Sequence, residues 1–188
     1  MEYDPVAHRW LGDPDRVAVL LPGGGYTPAM PLLYYATTVL VAQGWTVQEV
    51  WWQPPANRHS IDRATWVNAQ TEPVLAAETA PRLLLVGKSL GSFAAPIAAA
   101  RGLPAIWLTP ILSHPEIAAA LAAATAPALL VGGGADPSWD PAVAAGLDAA
   151  QLVLPGADHA LEHPDDPVAS ARNLTHVTAR MDEFLRTL

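Results

Sequence analysis

The residues Gly87-Lys88-Ser89-Leu90-Gly91 form a G-x-S-x-G motif where a predicted buried strand ends and a predicted helix begins. This context is the one that a serine nucleophile on a sharp strand-to-helix turn requires. The turn is so tight that the residues two before and two after the serine nearly touch, so both must be very small. Gly87 and Gly91 meet this demand, and we predict Ser89 as the nucleophile.

A serine hydroxyl is a poor nucleophile unless a general base removes its proton and a carboxylate orients that base. Asp136 follows the predicted strand 128–132, and His159 follows the predicted strand 151–155. Because parallel strands all end on the same side of a sheet, both residues can meet Ser89 there. We therefore predict His159 as the general base and Asp136 as the residue that orients it.

The sequence also contains alternatives to these two partners of the serine. Asp136 precedes a proline and could instead form a turn. Asp140 and Asp158 are the other candidate carboxylates, although Asp140 has the position of a helix cap and Asp158 directly adjoins the histidine. His163 is the other candidate base, but it lies further from the strand end, near a predicted helix start.

Acyl transfer also needs hydrogen-bond donors where the carbonyl oxygen becomes negative. The backbone N–H of Leu90 follows the nucleophile at a predicted helix N-terminus, where the helix dipole favours an anion. The loop after the first predicted strand offers a second donor from Gly24, Gly25 or Tyr26, and the sequence leaves open which one. The same loop fits a dinucleotide-binding fingerprint poorly, because Pro28 stands where a helix should already be under way.

Aromatic residues near the predicted strand ends could line a substrate pocket. Trp52, Trp107 and Trp139 are the candidates, because rigid aromatic rings suit an apolar acyl or aryl group. Packing in the core is the alternative for each of them. Lys88, the single lysine of the chain, is predicted to point to solvent from the turn.

Short apolar segments alternate with helical segments from about residue 16, a pattern typical of an α/β domain. The segments are apolar on both faces, as in a parallel sheet covered by helices on each side. The predicted strands span residues 16–22, 45–53, 82–88, 105–110, 128–132 and 151–155. The predicted helices span residues 31–43, 61–79, 90–101, 115–124, 141–149 and 167–188, with Pro96 as a conflict inside the third.

A length of 188 residues suits one domain, so we predict a single domain over residues 1–188, with 1–15 as a tail or an edge strand. Hydrophobic residues at 51% and charged residues at 15% exclude a disordered chain. The net charge of −8 disfavours nucleic acid and anionic membrane surfaces as partners. The absence of cysteine excludes thiolate chemistry, and we expect no metal and no cofactor. Acidic residues at the start do not fit a secretory signal, so a cytoplasmic protein is expected.

With Ser89, Asp136 and His159 in chain order behind a glycine-rich first loop, the sequence resembles the α/β-hydrolase superfamily, in particular its compact serine hydrolases without a cap domain. The resemblance implies a three-layer αβα fold around a mostly parallel six-stranded sheet of order 2-1-3-4-5-6. It also implies hydrolysis of an ester or thioester of a small-molecule acyl substrate. Three features depart from the usual pattern or from many relatives. Pro22 replaces the histidine that usually precedes the first-loop glycines, and the first two strands of larger members are missing or reduced to residues 1–15. Residues 111–114 leave no room for a lid. An open, shallow pocket follows.

An enzyme is not the only function that such a fold can have. The alternative is a small-molecule receptor or a protein-interaction module, because one fold hosts many unrelated functions. A lyase or perhydrolase that uses the same three residues would differ only in its products. The sequence does not indicate the oligomeric state.

Overall fold

The structure is a computed structural model that describes residues 2–4, 6–55 and 61–188. In this part of the chain, the strands are β1 (Tyr3–Asp4), β2 (Arg9–Trp10), β3 (Asp13–Leu21), β4 (Trp45–Glu49), β5 (Arg82–Lys88), β6 (Ala105–Leu108), β7 (Ala128–Gly133) and β8 (Ala150–Leu154). The helices are α1 (Pro31–Ala42), α2 (Arg63–Ala77), α3 (Ala95–Arg101), α4 (Pro115–Ala123), α5 (Pro141–Ala145) and α6 (Pro167–Leu185). A 3-10 helix (Ser89–Ala94) links β5 to α3.

All of these strands belong to one sheet of order β1-β2-β4-β3-β5-β6-β7-β8. The six strands from β3 to β8 are parallel, and their order is the predicted 2-1-3-4-5-6. The prediction of six strands is two short, because β1 and β2 extend the sheet with antiparallel pairing beside β4. The Trp10 side chain holds this edge in place by donating from Nε1 to Oε1 of Glu49 over 3.0 Å.

Helices cover both faces of the sheet and create two apolar cores. The core on one face contains buried residues of α1 and α6, and the core on the other contains residues of α2, α3, α4 and α5. Alternation along each strand sends neighbouring side chains to opposite cores: Leu85 of β5 belongs to the second core, and Leu84 and Val86 belong to the first. Burial on both faces explains why the strands are apolar throughout. The predicted three-layer αβα architecture is therefore confirmed.

Helix boundaries differ from the prediction by up to five residues, and two of these differences have a clear local reason. The helix α2 begins at Arg63 because the Asp62 side chain accepts hydrogen bonds from two backbone N–H groups of the first turn and so caps it. The 3-10 helix delays α3 to Ala95, which places Pro96 in the first turn, where its missing N–H sacrifices no hydrogen bond. The helix α5 ends before Gly146, four residues earlier than predicted. None of the helices in the described residues combines the length and apolar character that crossing a bilayer requires.

Candidate active site

Ser89 occupies a sharp turn between β5 and the 3-10 helix. Its φ of +50° lies in the left-handed region that residues other than glycine rarely adopt. A Cβ atom on Gly87 would lie 2.5 Å from the Trp107 ring and 2.9 Å from the carbonyl oxygen of Gly91. A Cβ atom on Gly91 would lie 2.5 Å from the carbonyl oxygen of Leu21. The two glycines of the motif are therefore required by close contacts that hold the turn against β3 and β6.

The imidazole of His159 lies between the serine and the aspartate. Its Nε2 is 2.7 Å from Ser89 Oγ, and its Nδ1 is 2.7 Å from Asp136 Oδ2. The Asp136 side chain is fully buried, whereas 36% of the His159 side chain is exposed. With Nδ1–H donating to the carboxylate, Nε2 is free to accept the serine proton. The structure thus brings these three residues together from the ends of β5, β7 and β8.

The Asp136 carboxylate is buried, yet its environment favours the ionised form. Burial by itself would raise the pKa of Asp136, but the hydrogen bond with His159 and the 2.8 Å hydrogen bond from the Ser138 backbone N–H outweigh burial and lower that pKa below its ordinary value. The carboxylate is therefore negative at neutral pH, where it can orient the imidazole.

The glycine turn (residues 132–134) at the end of β7 allows the loops carrying the aspartate and the histidine to approach. A Cβ atom on Gly132 would lie 2.1 Å from the Trp139 ring. A Cβ atom on Gly133 would lie 2.3 Å from the carbonyl oxygen of Ala157, just before the histidine. Any side chain here would push these loops apart, since both contacts are closer than real Cβ atoms tolerate.

The alternative carboxylates and the alternative base have other contacts. Asp140 caps α5, because its Oδ1 accepts from two backbone N–H groups of that helix. Asp158 stabilises the turn after His159 by accepting from the backbone N–H groups two and four residues further along. His163 lies near the start of α6, where its backbone N–H donates to Ser170 Oγ. Across the described residues, acidic and histidine side chains form no group of three or more that could hold a metal ion.

The glycine loop (residues 23–26) follows β3 and lies beside Ser89. A backbone hydrogen bond of 2.9 Å between its first N–H and the carbonyl of Tyr26 closes this loop. A Cβ atom on Gly24 would lie 3.7 Å from Leu90 Cδ2, so the loop faces the residue after Ser89. Every residue predicted to donate a backbone hydrogen bond to the substrate lines a cavity that Ser89 also lines: Leu90, Gly24, Gly25 and Tyr26.

Ser89 and Gly24 line two cavities in the described part of the chain. The tryptophan-side cavity has a volume of 140 Å³ and is mainly apolar; among the described residues it is lined by Gly24, Pro54, Ile61, Arg63, Trp66, Ser89, Leu90 and Ile111. The histidine-side cavity has a volume of 410 Å³ and is more polar; it is lined by Gly23, Gly24, Gly25, Tyr26, Lys88, Ser89, Asp158, His159 and Ala160. A substrate carbonyl at Ser89 would therefore have space on both sides.

The predicted substrate-contacting tryptophans lie in the core instead. Trp52, Trp107 and Trp139 are each at most 8% exposed, and none is among the described residues that line the two cavities. Trp107 and Trp139 fill the space left by the glycines of the two turns. Trp52 supports the glycine loop, because its Nε1 donates to the Gly23 carbonyl over 3.2 Å. These side chains are near the site because they support its backbone.

Two residues that the sequence analysis did not single out contribute to the site. Trp66 lines the tryptophan-side cavity and packs on Trp52 with ring centroids 5.3 Å apart. Ser92 Oγ donates to the Ser89 carbonyl over 2.6 Å and accepts from the Ile111 backbone N–H over 3.2 Å. Trp66 lies inside α2, so the strand-end signal that identified the other site residues does not apply to it. Ser92 follows the end of β5 closely, so that signal could have found it.

The prediction that Lys88 points to solvent is wrong. This residue is only 3% exposed, and its Nζ donates to the carbonyl oxygen of His159 over 3.1 Å. Strand alternation gives the reason: Lys88 shares the face of Val86, which is directed into the core beneath α1 and α6. At the end of β5 the side chain therefore runs under the loops of the site.

Comparisons with known proteins address the fold. No protein-family model matches the chain, and no curated protein matches it. Several solved structures are similar to it. Est1E from Butyrivibrio proteoclasticus, solved with ferulic acid bound, has a TM-score of 0.74 at 13% identity, covering 95% of this chain and 93% of that one.

Two further solved structures resemble the chain over most of its length. A serine hydrolase homologue from Coxiella burnetii has a TM-score of 0.68 at 14% identity, covering 97% of this chain and 94% of that one. A serine hydrolase without a lid from Xanthomonas campestris has a TM-score of 0.63 at 18% identity, covering 98% and 85%. The predicted resemblance to α/β hydrolases is thus confirmed, and the chain has an α/β-hydrolase fold with a mostly parallel eight-stranded sheet.

Proposed function

We propose that this protein is a serine hydrolase that cleaves an ester or thioester of a small acyl substrate through a covalent acyl-enzyme. The observation that carries the proposal is the pair of 2.7 Å contacts that join His159 to Ser89 Oγ and to the buried Asp136 carboxylate. Both distances lie within the range of about 2.6–3.2 Å that a general base needs. The similarity to Est1E, in which ferulic acid is bound, and to a serine hydrolase without a lid also supports it.

In the first half-reaction, His159 Nε2 accepts the hydroxyl proton while Ser89 Oγ attacks the acyl carbonyl carbon. The Asp136 carboxylate stabilises the imidazolium that forms. The carbonyl oxygen becomes negative and accepts hydrogen bonds from the Leu90 N–H and from one N–H of the glycine loop. The imidazolium then donates its proton to the leaving oxygen or sulfur, the bond from carbonyl carbon to leaving group breaks, and the acyl group stays on the serine.

In the second half-reaction, a water molecule replaces the leaving group. His159 Nε2 removes a proton from this water as its oxygen attacks the acyl carbonyl carbon. The bond between the carbon and Ser89 Oγ breaks, and the imidazolium returns its proton to that oxygen. A carboxylic acid leaves, and the enzyme is restored. The 36% exposure of the His159 side chain gives water access to the base.

The two cavities assign opposite sides of the substrate. The leaving group must lie within reach of His159 to receive its proton, so it belongs in the 410 Å³ histidine-side cavity. The acyl group then belongs in the 140 Å³ tryptophan-side cavity, which is lined mainly by apolar side chains. This volume is close to that of a cavity of about 150 Å³ that holds benzene in another protein. We therefore expect short acyl chains or a single ring.

The test uses purified protein, a fluorophosphonate probe and a series of nitrophenyl esters with acyl chains of increasing length. We expect labelling and turnover in the native protein and in Ser113→Ala, which alters an exposed serine. Ser89→Ala should lose both. We expect kcat/KM to fall once the acyl chain is too long for the tryptophan-side cavity.

Labelling that survives Ser89→Ala, or an absence of both labelling and turnover, would contradict the proposal. In the second case the protein could still be a receptor or an interaction module. Ligand-induced shifts in melting temperature without turnover would then favour that alternative.

A further inference from the structure

We propose that Lys88 is a positioning residue that ties the His159 loop to the glycine loop and keeps the imidazole in place for proton transfer. This inference rests on the proposed function, because it gives His159 the role of general base. Lys88 directly precedes Ser89, the proton donor, in sequence. Its ammonium, however, contacts the backbone of His159, the proton acceptor. No step of the mechanism above uses it.

Three segments of the site meet on the Lys88 side chain. Its stem passes the glycine loop, where a Cβ atom on Gly23 would lie 3.3 Å from Lys88 Cδ. Its Nζ lies 4.8 Å from the centroid of the Tyr26 ring, within the range of a cation–π contact. The same Nζ donates to the His159 carbonyl over 3.1 Å. The side chain thus connects β5, the glycine loop and the loop after β8.

Burying an ammonium is unfavourable unless polar groups replace the lost water. The carbonyl of His159 and the face of Tyr26 provide such groups. In the described residues, the other ionisable groups that act on Lys88 are Asp136, from the loop after β7, and Asp158, from the loop after β8. Burial lowers the pKa of Lys88 to about 8, and these two carboxylates oppose that effect. The ammonium is therefore charged at neutral pH and loses its proton under mildly alkaline conditions.

The charge on Lys88 matters for the carbonyl that it contacts. A hydrogen bond from an ammonium is roughly twice as strong as one from a neutral donor. The anchored carbonyl belongs to His159 itself, whose ring must keep two 2.7 Å contacts at once. Deprotonation of Lys88 should therefore loosen the backbone of the general base and lower the rate of proton transfer.

The kinetic test compares Lys88→Met with the native protein over a pH range. Methionine matches the stem of lysine in length without a charge, and it removes a buried ammonium, so the variant should fold. In Lys88→Met we expect kcat at pH 7 to fall about tenfold or more, with KM changed less than twofold. The native protein should also lose activity as the pH rises through the Lys88 pKa of about 8, and Lys88→Met should not show this loss. The control Arg82→Met removes an exposed cation from the other end of β5 and should change neither parameter.

A second measurement does not depend on turnover. Because Lys88 is the only lysine of the chain, labelling with ¹⁵N-lysine gives a single Nζ signal whose titration reports its pKa directly. We expect the His159 ring signals to show an inflection at that same pH in the native protein and none in Lys88→Met. The inference would be overturned if kcat depended on pH in the same way in Lys88→Met and the native protein. It would also be overturned if the His159 ring signals of the native protein showed no change at the pH where Lys88 titrates.

The two failures can be distinguished. If the native protein shows neither labelling nor turnover, the proposed function fails, and the NMR titration still decides whether Lys88 positions His159. If Ser89-dependent turnover is present but is insensitive to Lys88→Met, the function stands and the role of Lys88 is wrong.

Discussion

The glycine loop after β3 and the glycine turn at the end of β7 each contain three consecutive glycines, but their surroundings are very different. A Cβ atom on Gly25 would meet nothing within 4 Å, and one on Gly24 would make an ordinary contact of 3.7 Å. Cβ atoms on Gly132 and Gly133 would lie 2.1 Å and 2.3 Å from neighbouring atoms. The missing side chains of Gly24 and Gly25 leave backbone exposed to a cavity, whereas those of Gly132 and Gly133 leave room for neighbouring atoms of the protein.

This difference separates two uses of glycine at an active site. In the glycine loop, the missing side chains expose backbone where a ligand can approach Ser89. In the glycine turn, the missing side chains let the loops that carry Asp136 and His159 pack against each other. Substitution of Gly25 should therefore affect substrate binding, whereas substitution of Gly133 should affect stability and the geometry of Asp136 and His159.

The largest expected effect on activity comes from Asp136, which follows the glycine turn. Asp136→Asn should lower kcat by about 10³–10⁴-fold, because an amide favours the wrong imidazole tautomer, as it does in serine proteases. Steady-state kinetics with a nitrophenyl ester measures this loss. The matched control is Asp140→Asn, which alters a helix cap four residues away. It should leave kcat near the native value, and a similar loss in both variants would show that Asp136 has no special role.

The second prediction tests whether the glycine turn is packed more tightly than the glycine loop. Gly133→Ala should lower the free energy of unfolding by about 3 kcal/mol, because its Cβ would collide with the backbone carbonyls of Ala157 and Asp158. Gly25→Ala has open space and should change that energy by less than about 0.5 kcal/mol. Urea denaturation of the two variants measures the contrast. Equal losses would mean that both segments are packed alike.

The third prediction concerns Lys88, which touches the glycine loop and the His159 loop. Unfolding restores its pKa from about 8 to its ordinary 10.5, so the unfolded state binds more protons between these pH values. The destabilisation is therefore complete below pH 8 and is relieved as the pH rises toward 10.5. Relative to Lys88→Met, the native protein should gain about 2–3 kcal/mol of unfolding free energy between pH 7 and pH 10. Denaturation of both proteins at pH 7 and pH 10 measures this gain. If the difference in unfolding free energy between them were the same at both pH values, the lowered pKa of Lys88 would be contradicted.

Local signals in the sequence were sufficient for most of the fold. Runs apolar on both faces located the six parallel strands, and proline after a polar residue located the starts of α4 and α5. Residues 1–15 were predicted as a tail or an edge strand, and they contain the edge strands β1 and β2. The sequence left these two possibilities open, because two-residue strands are too short to show a period. The 3-10 helix escaped prediction, although Pro96 indicated that a regular helix could not run through that segment.

The sequence determined by itself which residue types follow the strand ends, because a tight turn demands Gly87 and Gly91 and a parallel sheet gathers its carboxyl ends at one edge. It thereby led to Ser89, His159 and Asp136. Only the tertiary structure decided the direction of long side chains, since a lysine or tryptophan near a strand end can face core, cavity or water. Packing of the two helical layers placed Lys88 under the His159 loop and the predicted tryptophans in the core. These directions depend on contacts with distant segments, which no local pattern records.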